Sequence, residues 1–145
     1  MPGWPLDHID ESARVRTVER LLDGGHEMRR DDDLLRKLML EIEASPDPLY
    51  TFGLGLSADE DDERAYFHLL LLADEGFLEQ RGKDGATFRM TMKGHDFVEA
   101  IRNDTIWAKT KGAISAVGGA SISMMKDVAL GYVRQELGKL GVPLG

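Results

Sequence analysis

The stretch "YFHLLLLADEGFLEQRGKDGATFRM", residues 66–90, constrains the fold more than any other part of the chain. Its first half places apolar residues at helical spacing. Tyr66, Leu69, Leu70 and Ala73 form a main stripe, and Phe67 and Leu71 form a second one. Gly76 ends this helix, since a residue without Cβ takes the left-handed turn that closes a helix. The period then changes. Phe77 to Arg81 and Ala86 to Met90 read as two strands around a Gly82–Gly85 tip, in which Asp84-Gly85 is a strong turn pair.

The flanking segments are helical. Leu34, Leu35, Leu38, Met39 and Ile42 make one stripe of a helix over about Asp31–Ala44, with acids at its N-terminus, and Pro46 and Pro48 forbid its continuation. "LYTFGLGLS" suggests a short strand on Tyr50, Phe52 and Leu54, and Ser57 with Glu60 matches a capping box for a helix over Ala58–Glu75. After the hairpin, Thr91 caps a third helix, about Met92–Arg102, with Phe97, Val98 and Ile101 facing inward. A fourth helix, Asp104–Val117, carries Ile106, Trp107, Ile114 and Val117. A fifth, from Ser121 or Ser123 to Leu140, presents Ile122, Met125, Ala129, Tyr132, Val133, Leu137 and Leu140. A helix that runs directly into a hairpin is the end of a winged helix-turn-helix. The expected fold is therefore mainly α (α+β): a winged helix-turn-helix-like domain with a β-hairpin wing, a degenerate second helix and two added C-terminal helices.

Three segments follow from this reading. Residues 1–27 form an N-terminal extension with a short amphipathic helix over Asp10–Leu22. Residues 28–103 form the winged-helix-like domain. Residues 104–145 form a helical pair that packs on it or supplies a dimer interface. Gly24 and Gly25 fit a ribosome-binding pattern upstream of Met28, so Met28 reads as an alternative start of the gene product. The broad apolar stripe of the fifth helix and the second stripe of the helix before the hairpin point to a homodimer. Cysteine is absent, which excludes a disulfide scaffold and a thiolate metal site and fits a cytoplasmic protein. No apolar run approaches the roughly 20 residues that span a bilayer, so no membrane partner is expected.

Residues 28–140 resemble an uncharacterised bacterial and phage family known as a domain of unknown function (number 2513). The resemblance rests on "MRRDDDLLRKLMLEIEA", "YFHLLLLADEGFLE", "MTMKGHDFVEAIRNDTIWAKTK" and "GGASISMMKDVALGYVRQELG", with "GHDFVEAIRNDTIW" the most specific. It implies a winged-helix-like fold and no established activity. "SADEDDERAY" departs from the family in being longer and more acidic.

The chemistry implied by the residues is chiefly electrostatic. From Ser57 to Glu75 there are seven acids and one base, and the net charge is −8. Phosphate contacts need the opposite sign, which argues against this helix entering a major groove with its outer face of Glu60, Asp61, Arg64, His68, Leu71 and Glu75. The wing is more favourable: Arg81, Lys83, Arg89 and Lys93 make a small basic patch that could grip DNA, although hairpins also carry charge for solubility and edge protection. The acids Asp59, Glu60, Asp61, Asp62 and Glu63 could dock a basic protein partner. They also suit the dipole of a helix start, and they lack calcium-loop spacing. His68 and His95 lie on different helices with no third ligand, so no metal site is expected. Without a cysteine, a nucleophile-elbow serine or a full phosphate-loop pattern, no cofactor or catalytic residue is expected either. The expected function is a DNA-associated, transcription-regulator-like protein. The alternative is a protein-interaction module that uses the acidic helix.

Overall fold

In the computed structural model, which describes residues 28–53 and 59–143, helices and strands follow the order expected from the sequence. They are α1 (Asp32–Ala44), β1 (Leu49–Thr51), α2 (Glu60–Asp74), β2 (Leu78–Arg81), β3 (Thr87–Met90), α3 (Met92–Ile101), α4 (Asp104–Ala116) and α5 (Ile122–Lys139). The architecture is α+β, mainly helical, with one small antiparallel sheet. The chain divides into two compact units, Met1–Arg30 and Asp31–Gly145, and all of these elements belong to the second. The helix expected over Asp10–Leu22 lies outside the described residues. No helix among the described residues is long and apolar enough to cross a membrane.

Each helix starts where a polar side chain can take up its free N–H groups. Asp31 accepts from the Leu34 N–H (3.2 Å), Thr91 from Gly94 (3.0 Å), Asn103 from Ile106 (3.0 Å) and Ser121 from Met124 (3.1 Å). The start of α2 differs from expectation. The capping box is built by Asp59 and Asp62: Asp59 Oδ1 accepts from the Asp62 N–H (2.9 Å), and Asp62 Oδ2 accepts from the Asp59 N–H (3.2 Å). Aspartate serves both positions because its carboxylate can take up the N–H three residues on or three residues back, so the box forms two residues later than the expected Ser57 and Glu60 pair. Ser57 itself lies outside the described residues.

The sheet order is β1-β3-β2. Leu49 pairs with Arg89 and Thr51 with Thr87 on one side of β3, and Leu78 pairs with Met90 and Arg81 with Thr87 on the other. The strand expected on Tyr50, Phe52 and Leu54 is shorter than its alternation suggested; Leu54 lies outside the described residues. Tyr66 locks the hairpin to α2 by donating its hydroxyl to the Gly85 carbonyl (2.8 Å).

The core draws on every helix and on the hairpin. Leu35, Leu38, Met39 and Ile42 of α1 meet Leu69 and Leu72 of α2, Phe77, Phe88 and Phe97. Phe77 and Phe97 stack with centroids 4.5 Å apart, bringing α3 onto the base of the hairpin. This approach requires Gly94, because a Cβ there would lie 2.1 Å from the Phe77 carbonyl oxygen. Arg36 ties the helices together at the other end. Its guanidinium donates to the Ile101 and Arg102 carbonyls (2.9 and 2.8 Å) and pairs with Asp104 (2.7 Å), so one side chain closes α3 and holds the start of α4.

Two helical faces differ from expectation. On α2 the buried residues are His68, Leu69 and Leu72, flanked by half-buried Tyr66, Leu70 and Ala73, so the core stripe is rotated by about one residue from the one read off the sequence. His68 therefore belongs to the interior and not to an outer, groove-facing surface. On α4 and α5, Trp107, Ile114, Ile122, Met125 and Ala129 are buried as expected, but Val117 and Leu140 stand 77% and 79% exposed. Both are C-cap residues, at the ends of α4 and α5. Among the described elements, α5 packs chiefly against α4 and α3.

Candidate functional site

The hairpin and the leading end of α2 carry the residues singled out from the sequence. Antiparallel register sets Glu79 directly across from Arg89, and strand alternation puts Arg81 on the same face of β2 as Glu79. The outcome is a three-residue cluster in which Arg89 Nη2 donates to Glu79 Oε2 (2.7 Å) and Arg81 Nε lies 2.8 Å from Oε1. The hydrogen bond from Arg89, aided by the charge of Arg81, holds the Glu79 carboxyl below its usual range, so the cluster is ionised at neutral pH. One carboxylate thus engages two of the four bases expected to form the basic patch on the hairpin.

The other two bases differ. Lys93, in the first turn of α3, donates Nζ to the Glu75 carbonyl (2.8 Å) and sits 5.4 Å from the centroid of the Phe77 ring. It caps the C-terminus of α2, where the carbonyl ends favour a cation. Lys83 stands exposed at the hairpin tip. The expected basic patch is a set of residues with separate duties, and only its tip points a cation into solvent unengaged.

The acids at the start of α2 differ in cap role and exposure. Asp59 and Asp62 are held in the capping box, whereas Asp61 and Glu63 are exposed. All five acids sit within the N-cap and first turn, where the helix dipole favours negative charge. Among the described residues, no cluster of three or more histidine, aspartate or glutamate side chains is arranged to hold a metal ion.

His68 is the polar residue that sequence reasoning misplaced. It is fully buried, its Nδ1 donates to the Arg64 carbonyl (2.7 Å), and its Nε2 accepts from the Asp31 N–H (2.8 Å). Both contacts are satisfied only by the neutral ring with the proton on Nδ1. Beside it Arg64 pairs with Asp31 (3.1 Å), joining α2 to the start of α1 a second time. The helical wheel of α2 alone held no signal for this. Only the fold brings Asp31 to His68.

An uncharacterized protein of Haemophilus influenzae is 26% identical over 117 residues, covering 76% of this chain and 99% of that protein. No solved structure matches the chain. The family model described as "Hypothetical protein (DUF2513)" matches residues 29–121, from the residue after Met28 to the N-cap of α5, so the closing stretch of the resemblance runs past it. On that match, which spans α1 to α4 and the whole hairpin, the chain belongs to the DUF2513 family.

Proposed function

We propose that this protein is a non-catalytic cytoplasmic interaction module on a winged-helix-like scaffold, and that it engages a basic protein surface through the leading end of α2. The sheet order β1-β3-β2, with a hairpin that directly follows α2, supports the scaffold reading. Charge placement carries the functional reading. Glu79 engages Arg81 and Arg89, while the first turn of the helix that would lead into a groove carries Asp59, Glu60, Asp61, Asp62 and Glu63. A duplex would meet like charge there and only Lys83 unengaged on the wing, whereas nucleic-acid affinity is driven by bases that neutralise phosphates.

Neutralising Asp61 and Glu63, which are exposed and outside the capping box, tests this reading. The double variant Asp61→Asn, Glu63→Gln keeps the helix cap, and in co-purification from the native host it should lose a partner that the wild type retains. Retention of every partner by the variant would overturn the proposal.

A second reading keeps the chain among DNA-associated regulators. The observation that favours it is the hairpin tip, where Lys83 is exposed and Arg81 is half exposed beside it. Fluorescence anisotropy of a labelled mixed-sequence duplex, from low to physiological salt, separates the two. Binding that falls steeply with salt and disappears in Arg81→Glu, Lys83→Glu selects the DNA reading, and no binding at low salt selects the protein one.

A further inference from the structure

The face of α5 turned away from the core carries a pattern that packing among the described residues does not use. Ile122, Met125 and Ala129 are buried, but Met124, Val128, Gly131, Gln135, Gly138 and Val142 recur at intervals of four and three residues. That is the spacing of a seam between two helices. Val142 lies just past the helix and is held to it by its N–H bond to the Leu137 carbonyl (3.1 Å). Nothing lies within 4 Å of where a Cβ would stand at Gly131 or Gly138, so a second backbone can come close there. Where α4 turns into α5, an apolar groove of about 540 Å³ is lined by Ala113, Ile114, Val117, Ala120, Met124 and Val128.

We propose that this face binds a second copy of the chain, with the two α5 helices antiparallel about a twofold axis beside Val128 and Gly131. Three complementarities select this arrangement. First, it sets Val128 of each copy against Gly131 of the other, so a side chain enters the space a glycine leaves. Second, the same register carries the exposed Leu140 and Val142 of one copy toward Val117 and the apolar groove of the other, at both ends of the seam. Third, Asp127 and Arg134 are exposed on one flank of the seam, seven residues apart, and neither has an ion-pair partner among the described residues. In the antiparallel register Asp127 of each copy faces Arg134 of the other, twice by symmetry. A parallel pair would not bring these two charges together.

Sedimentation equilibrium of the full chain, from micromolar to sub-millimolar concentration, tests the proposal. The expected mass is twice the 16.1 kDa of one chain. Gly131→Glu should return the protein to a monomer while leaving its circular dichroism and thermal unfolding at low concentration intact, because that position is open. Asp127→Arg or Arg134→Asp alone should weaken the dimer by about tenfold or more, and the double exchange should restore it. Since the chain has no cysteine, mixing Val128→Cys with Gly131→Cys provides a second readout: the mixture should form disulfide-linked heterodimers faster than either variant forms homodimers. A wild type that is monomeric throughout, a dimer indifferent to Gly131→Glu, or charge reversals without rescue would each overturn it.

Discussion

The Asp31 backbone N–H donates to His68 Nε2 at 2.8 Å, across 37 residues of sequence, and this bond fastens the start of α1 to the middle of α2. The ring that accepts it is fully buried and keeps its own proton on Nδ1, against the Arg64 carbonyl. Protonating Nε2 would turn the acceptor into a donor facing another donor.

Burial holds His68 below its ordinary pKa of 6.5, so the folded chain resists protonation where the unfolded chain accepts it. Above the unfolded value both states are neutral and the residue adds no pH dependence. As pH falls below about 6.5, the unfolded state takes up a proton first and stability declines, at most by about 1.4 kcal/mol per pH unit. Asp33, Glu43 and Glu79 have lowered pKa values too, but their stabilising contributions are lost only as pH falls through the ordinary carboxylate values toward the lowered ones, below the interval in which His68 acts. Urea unfolding between pH 7.5 and 5.5, in the wild type and in His68→Gln, isolates the effect. The wild type should lose stability over that interval and the variant should not, and equal slopes would refute the assignment.

Gly94 and Gly112 make a matched pair. Both lie in helices, but a Cβ at Gly94 would lie 2.1 Å from the Phe77 oxygen, whereas at Gly112 it meets nothing within 4 Å. Gly94→Ala should cost about 3 kcal/mol or more by forcing α3 off the hairpin. Gly112→Ala should stabilise the chain by roughly 0.5–1 kcal/mol through helix propensity. Denaturant midpoints measure both, and a common sign would show that close approach is not what requires Gly94.

Arg36 closes α3 through two carbonyls and holds Asp104 with the same fork. Arg36→Ala should lower stability by roughly 1–3 kcal/mol, since it leaves the Ile101 carbonyl without that donor. Arg36→Lys should recover only part of this, because an ammonium cannot span the three acceptors. Thermal unfolding of the two variants should rank them in that order.

Glu79→Gln should release Arg81 and Arg89 while leaving the hairpin paired. On a heparin column the wild type should elute at low salt and the variant at distinctly higher salt, because two guanidiniums become available to anions. Identical elution would mean that Glu79 does not mask them.

Local chemistry was legible in the sequence by itself. Pro46 and Pro48 end α1, Thr91 begins α3, Asp84-Gly85 turns the hairpin, and each helix shows its apolar period, because caps, turns and stripes depend on residues three or four apart. The family resemblance was legible on the same grounds, as runs of adjacent residues. Long-range relations were not. A wheel drawn for α2 alone left its core stripe uncertain by one residue, and only contact with Asp31 and α1 put His68 inside. The hairpin bases looked like a patch because a list of charges carries no register, and it is the register of β2 on β3 that sets Glu79 between Arg81 and Arg89. The cap at Asp59 and the exposure of Val117 were likewise decided by where the folded chain had room and where it had neighbours. The sequence by itself determined which segments become helix, strand and turn. Only the tertiary structure decided which face of each is buried and which charges are spent on one another, because those choices depend on contacts between residues far apart in the chain.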